Sequence, residues 1–199
     1  MESPLARVVW SAGILAALCA PPAGAQAATE AYVPADAEFM NGMIHHHAQA
    51  VLIAGWAETH GSSPSIVTLT ERIVVGQQDE IHLMETWLRD RDLPVPDSAP
   101  QHQIMPGMDH SMHMPGMLSA AQLDSLNQAR GAAFDRLFLQ YMIQHHKGAI
   151  VMVNELFATE GAGQNEPTFR LASNIYADQT TEIARMQKML DAMTPAGGP

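Results

Sequence analysis

The chain has 199 residues and a formal net charge of −11, set by 21 acidic and 10 basic side chains. So acidic a surface argues against nucleic acid as a partner. The single cysteine, Cys19, lies in an N-terminal apolar run, so the remainder has neither thiolate nor disulfide, and a bound metal must use His, Met or carboxylate.

Arg7 precedes that run, which extends from Val8 to Ala20, and small residues follow at Ala23-Gly24-Ala25 and Ala25-Gln26-Ala27. The run is shorter than the ~20 residues a membrane span needs and has the layout of a secretory signal. Residues 1–27 are therefore expected to be cleaved, giving a periplasmic or otherwise exported protein with no stable membrane insertion. Residues 28–35 read as a disordered lead.

Asp36 is predicted to cap a helix reaching about His60 and closed by Gly61. Ser63-Pro64 supplies an N-cap and a first-turn proline for a second helix. Its stripe is Ile66, Leu69, Ile73, Gln77, Ile81, Met84 and Leu88, and it stops before Leu93-Pro94. Residues 94–117 lose all apolar periodicity. Ser119 with Gln122 forms a capping box for a short helix over 119–130, which Gly131 should break or bend. A long helix marked by Phe134, Phe138, Met142, His145, Ala149 and Met152 ends near Gly161. The last helix runs from about Pro167 to Met193, with Leu171, Ile175, Gln179, Glu182, Met186 and Met189 on one stripe. Residues 194–199 are a Pro/Gly-rich tail.

The first and fourth of these helices share a pattern. Met43-Ile44-His45-His46-His47 matches Met142-Ile143-Gln144-His145-His146, with Phe39 and Ala50 matching Phe138 and Ala149. Their partner helices match too: Gln77, Glu80, Ile81, Met84 and Leu88 correspond to Gln179, Glu182, Ile183, Met186 and Leu190. Each half is a helical hairpin (36–93 and 132–193), and one hairpin alone cannot bury its apolar face. The expected fold is all-α, one four-helix bundle over 36–193 made of two repeated hairpins joined by a Met/His-rich linker.

On a helix Met43 shares a face with His46 and His47, and Met142 with His145 and His146. Met40 lies one turn before Met43, and Met152 two turns after His145. Packing explains most methionines at helical spacing. It explains paired histidines less well, because an imidazole among Phe, Ile, Met and Ala must lose its charge or find a partner. The four histidines are candidate metal ligands, forming either one shared site or two. Glu80 and Glu182 could orient them by accepting an N–H, or could be exposed or bridge helices. His60 and His82 read as solvated, and Trp56 and Trp87 as packing residues. The linker adds His102, Met105, Met108, His110, Met112, His113, Met114 and Met117. Thioether is a neutral, soft donor that favours Cu(I) or Ag(I).

The pattern Asp-x-x-Phe-x-x-x-Met-Ile-x-His-His-x-x-Ala, present as Asp36 to Ala50 and as Asp135 to Ala149, resembles the signature of the domain of unknown function 305 family, the CopM-like proteins. The resemblance covers roughly residues 36–193. It implies a ferritin-like bundle, export, and copper or silver binding with a role in metal tolerance.

The expected function is Cu(I) buffering, chaperoning or resistance, with Ag(I) as a surrogate and a copper efflux or cuproprotein partner. No catalysis is expected. A carboxylate-bridged di-metal oxidase would need two Glu-x-x-His motifs, and the chain has none. A non-metal structural bundle is the remaining alternative and leaves the linker unexplained.

Overall fold

A computed structural model describes residues 31–98 and 114–193. The expected signal and tail lie outside the described residues, as do His102, Met105, Met108, His110, Met112 and His113. The elements are α1 (Pro34–Ala54), α2 (Pro64–Arg89), α3 (Ala120–Gln128), α4 (Gly131–Ala158) and α5 (Glu166–Ala192).

The helix starts follow local chemistry. Pro34 and Pro64 stand at the first helical position, where a missing N–H costs nothing. Ser119 caps α3, and its hydroxyl accepts from the Gln122 amide. Asn165 caps α5 by accepting from the Thr168 amide. α1 differs from expectation at both ends. Val33, not Asp36, is the boundary residue. Asp36 lies inside the first turn and reaches back to accept from the Val33 N–H at 3.0 Å. The regular helix ends at Ala54, six residues before His60. Residues 55–61 tighten into turns, with Trp56 N–H on Ile53 O and Ala57 N–H on Ala54 O, until Gly61 reverses the chain at φ +70°. Gly131 does not merely bend a helix. It opens α4 at φ +55°, with its N–H on the His60 carbonyl at 2.8 Å.

Within each half the helices pair, α1 with α2 and α4 with α5. The halves meet where α1 packs on α4, and α3 lies against α4. α1 and α4 bury most of their circumference, whereas α2 and α5 each bury one stripe. That asymmetry puts α1 and α4 in the middle and accounts for Phe134 and Phe138, both fully buried. Such a side chain contributes about 1.5–3 kcal/mol by leaving water. No strand occurs among the described residues, and no helix there is long and apolar enough to cross a membrane.

Candidate metal centre

The two histidine pairs meet at the middle of the bundle. α1 brings His46 against His145 of α4, with ring centroids 3.8 Å apart and planes tilted by 41°. His47 and His146 flank this contact, each 6.3 Å from its neighbour on the same helix. All four side chains are 0% exposed. The pairs thus form one cluster rather than two remote sites.

Burial dominates their electrostatics, because taking an imidazolium out of water is unfavourable. Burial, reinforced by the neighbouring His47, pushes His46 down to about 3. Burial and then His46, His146 and His47 hold His145 well below the usual histidine range. His146 is also lowered by burial, although the Glu182 carboxylate opposes the shift. These three rings are neutral at pH 7, and each keeps one nitrogen lone pair.

The outer two rings are held by carboxylates of their own hairpins. His47 Nε2 lies 2.7 Å from Glu80 Oε2, and His146 Nε2 lies 2.6 Å from Glu182 Oε2. Carboxylates only accept, so Nε2 carries the proton, and in neutral His146 the lone pair falls on Nδ1. Glu80 and Glu182 therefore orient histidines, the reading that the matched repeat left open. Five ring nitrogens in the cluster are buried with no hydrogen-bond partner: Nδ1 of His46, His47 and His146, and both nitrogens of His145. A buried unpaired polar atom is costly, and five of them in one cluster make these rings candidate ligands. Neutral imidazole suits copper among other transition metals. Among the described residues, no three His, Cys, Asp or Glu side chains converge closely enough to hold an ion.

A strap, residues 114–118, crosses α1 and α4 beside the cluster. Pro115 O accepts from His46 Nε2 at 3.0 Å. Gln49 grips the strap twice, accepting from the Leu118 N–H at 2.8 Å and donating to its carbonyl at 3.2 Å. Gln144 donates to the Gly116 carbonyl at 3.3 Å. The approach is so close that a Cβ on Gly148 would lie 2.0 Å from Pro115 O. The linker's end is therefore not loose. Met117, the last of the linker's candidate ligands, is buried at 8% exposure. At the other end Leu93 and Val95 also pack on the core.

Met40, Met43 and Met152 share one core cluster, against which Met114 packs. A Cβ on Gly42 would lie 3.3 Å from Met152 Cε and 3.8 Å from Met114 Sδ, so the missing side chain there makes room for both. Met142 belongs to the other cluster, with Phe134, Phe138, Leu139 and Met186. The two methionines of the repeat thus have unlike surroundings. His60 is not solvated. It is 5% exposed, bonded through Nε2 to Asn127 O at 3.0 Å, and packed between Trp56 and Phe134. His82 is exposed, as expected. Sequence reasoning missed Gln49, Gln144, Pro115 and Gly148. A signal was present, because the repeat breaks at these places: Gln49 stands opposite Gly148, and His45 opposite Gln144.

An all-helical bundle with a buried imidazole cluster at the meeting of two hairpins is thus the class of protein defined by fold and site. The family model described as Domain of unknown function (DUF305) matches residues 36–190, and the chain belongs to that family. A DUF305 protein of Streptomyces coelicolor, inferred to be secreted, has a similar structure at 26% identity and a TM-score of 0.68, covering 83% of this chain and 97% of its own. CopM in its Cu(II)-bound form is similar at 28% identity and a TM-score of 0.63, covering 80% of this chain and 97% of CopM. CopM structures with Cu(I) and with Ag are similar as well. The uncharacterized protein L153 of Acanthamoeba polyphaga mimivirus is 35% identical over 65 residues, a third of this chain and 42% of that protein's length.

Proposed function

We propose that this chain is an exported copper-binding protein that buffers or hands on Cu(I), with Ag(I) as a surrogate, and does no chemistry on a substrate. One observation carries the reading: the His46–His145 contact, where buried, neutral imidazoles keep ring nitrogens without partners. The similarity to CopM solved with copper and with silver supports it. His145 is the first candidate ligand, since both its nitrogens are without a partner. His46 offers Nδ1, or Nε2 once the Pro115 carbonyl gives way. His47 and His146 contribute Nδ1 or act through their carboxylate-held rings. Thioethers of Met40, Met43, Met152 and Met114 extend the donor set on one side, and linker residues 102–113 add His and Met capture. Metal moves by ligand exchange, to an efflux or cuproprotein acceptor.

The test is Cu(I) titration against a competing chelator. It compares the intact chain, a form lacking 99–113, and H46L/H145L, in which apolar side chains replace the paired rings. Loss of the tightest site in H46L/H145L, with fewer ions bound in the deletion, is the expected result. Undiminished affinity in H46L/H145L overturns the histidine centre.

A further inference from the structure

Of the four buried rings at the centre, three meet an acceptor at Nε2. Glu80 serves His47 and Glu182 serves His146, at 2.7 and 2.6 Å, one from each partner helix. Neither inner ring bonds a carboxylate among the described residues. His46 bonds instead to the backbone carbonyl of Pro115 at 3.0 Å, and both nitrogens of His145 are without a partner. A carbonyl can only accept, so His46 Nε2 carries the proton. In this neutral ring the lone pair then falls on Nδ1, the nitrogen left without a partner. His46 is thus held in the same tautomer as His146, by a different element of the fold.

The strap that carries this carbonyl is placed by ties other than His46. Gln49 accepts from the Leu118 N–H and donates to the Leu118 carbonyl. Gln144, itself bonded by Gln122, donates to the Gly116 carbonyl. Leu118 is 1% exposed and belongs to the core that holds Ile53, Leu126 and Phe138. Gly116 stands at φ +78°, and a Cβ there would lie 2.7 Å from Gln144 O, so strap and α4 approach through glycine on both sides. An acceptor fixed in this way sets the orientation of the ring instead of following it. The repeat departs from itself at the same places. Gln49 opposite Gly148, and Gln144 opposite His45, supply two of the strap's anchors and the gap it lies in.

We propose that the Pro115 carbonyl is a positioning group of the copper site: it holds His46 with Nε2 protonated, so that His46 binds metal through Nδ1 while the strap stays in place. The inference rests on the copper reading and names the ligand atom and the group that selects it. A histidine that ligates through one nitrogen usually donates its other N–H to a carbonyl or carboxylate, which fixes the ring and makes the ligating nitrogen a better donor. Here that hydrogen bond is in place before any metal arrives. No proton has to leave His46 on binding, and no strap contact has to break. His145, with no acceptor to orient it, is the ring that adjusts to the ion.

The test reads ring tautomers by long-range ¹H–¹⁵N correlation in the full chain with ¹⁵N-labelled histidine, at pH 7. In the metal-free protein His46 should show a protonated Nε2 and a bare Nδ1. Cu(I), which is diamagnetic, should then shift Nδ1 and leave the Nε2 proton in place. Q49L removes both ties to Leu118 and adds no charge. It should let His46 exchange between tautomers and weaken Cu(I) binding, measured by chelator competition, about 10–100-fold, while His146 keeps its tautomer on Glu182. A protonated Nδ1 on His46 in the metal-free protein overturns the proposal, as does loss of the Nε2 proton when Cu(I) binds. Unchanged tautomer and affinity in a folded Q49L protein also overturn it. If no Cu(I) binds, the copper reading falls and takes the ligand assignment with it, whereas the metal-free tautomer holds or fails by itself.

Discussion

Asp36 and Asp135 stand at matching places in the two halves, and each accepts a hydrogen bond from the loop of the opposite hairpin. Asp36 Oδ1 takes the Gly163 N–H at 2.7 Å, in the turn between α4 and α5. Asp135 Oδ2 takes the Ser63 N–H at 3.1 Å, in the turn between α1 and α2. Both side chains are buried, at 1% and 3% exposure. The crossed bonds bring the start of each central helix to the far end of the other, so α1 and α4 run antiparallel and their midpoints coincide at His46 and His145.

The two aspartates are not equally loaded. Asp36 also accepts from Asn165 Nδ2 at 3.2 Å and from the Val33 N–H at 3.0 Å. Asp135 makes a single bond, and its Oδ1 has no partner. D36A should therefore cost roughly 2–3 kcal/mol and D135A about 1 kcal/mol, by the usual worth of buried charge-assisted bonds. Urea unfolding of the metal-free protein measures both. Equal losses would show that the extra acceptors at Asp36 contribute nothing.

Gly148 and Gly76 are both helical, and alanine should act on them in opposite directions. At Gly76 a methyl group meets open space, so G76A should stabilise the fold by about 0.5–1 kcal/mol through helix propensity. At Gly148 the same methyl would lie 2.0 Å from Pro115 O, and backbone must shift. G148A should destabilise by roughly 1–3 kcal/mol, as overpacking does, and should lift the strap. Thermal unfolding gives the first effect. Limited proteolysis around 114–118 reads the second, and an unchanged digestion pattern would mean that the strap is not displaced.

The metal-free protein should lose stability as pH falls. His46 takes a proton near 6.5 in the unfolded chain but only near 3 when folded, and His145 and His146 are lowered as well. Between those values the unfolded state binds more protons, so stability rises with pH across that window and falls away on acidification from about 6.5 towards 3. His46 alone accounts for a few kcal/mol, at ~1.4 kcal/mol per pH unit. Urea midpoints at pH 7 and pH 4.5 test this. H46L/H145L should show a shallower dependence than the parent, and an equal slope would place the acid sensitivity elsewhere.

His60 makes a separable prediction. It bonds Asn127 and stacks on Trp56 at the end of α1, far along the chain from the cluster. H60A should cost about 2–4 kcal/mol through the lost bonds and the cavity left behind, with Cu(I) stoichiometry unchanged by chelator competition. A lost copper ion in a folded H60A protein would make His60 a ligand.

Much of this architecture is legible in the sequence. The apolar stripes and the Asp36, Ser63-Pro64 and Ser119/Gln122 signals place all five helices, with the end of α1 set about six residues too late, and the repeated His pairs give the centre. What is not legible depends on distances between helices. Glu80 lies 33 residues from the histidine it holds, and Glu182 lies 36 from His146, so no local spacing links them. His60 reads as a polar residue at a helix end, and only the arrival of Asn127 and Phe134 buries it. The strap is hidden for another reason. Proline, glycine and methionine carry no period, so the docking of 114–118 registers only as the places where one half departs from the other.

That docking has a consequence for local concentration. Ser98 is tied to Glu85 Oε1 at 2.9 Å, and Met114 is seated beside Gly42. The fifteen residues 99–113 are thus tethered at both ends. Whatever path they take, a chain of that length spans at most about 3.3–3.6 Å per residue. His102, Met105, Met108, His110, Met112 and His113 therefore meet the bundle at an effective concentration of millimolar order, however dilute the protein. An ion caught by those side chains would reach the His46 side of the cluster by an intramolecular step, at a rate independent of how many copies of the protein surround it.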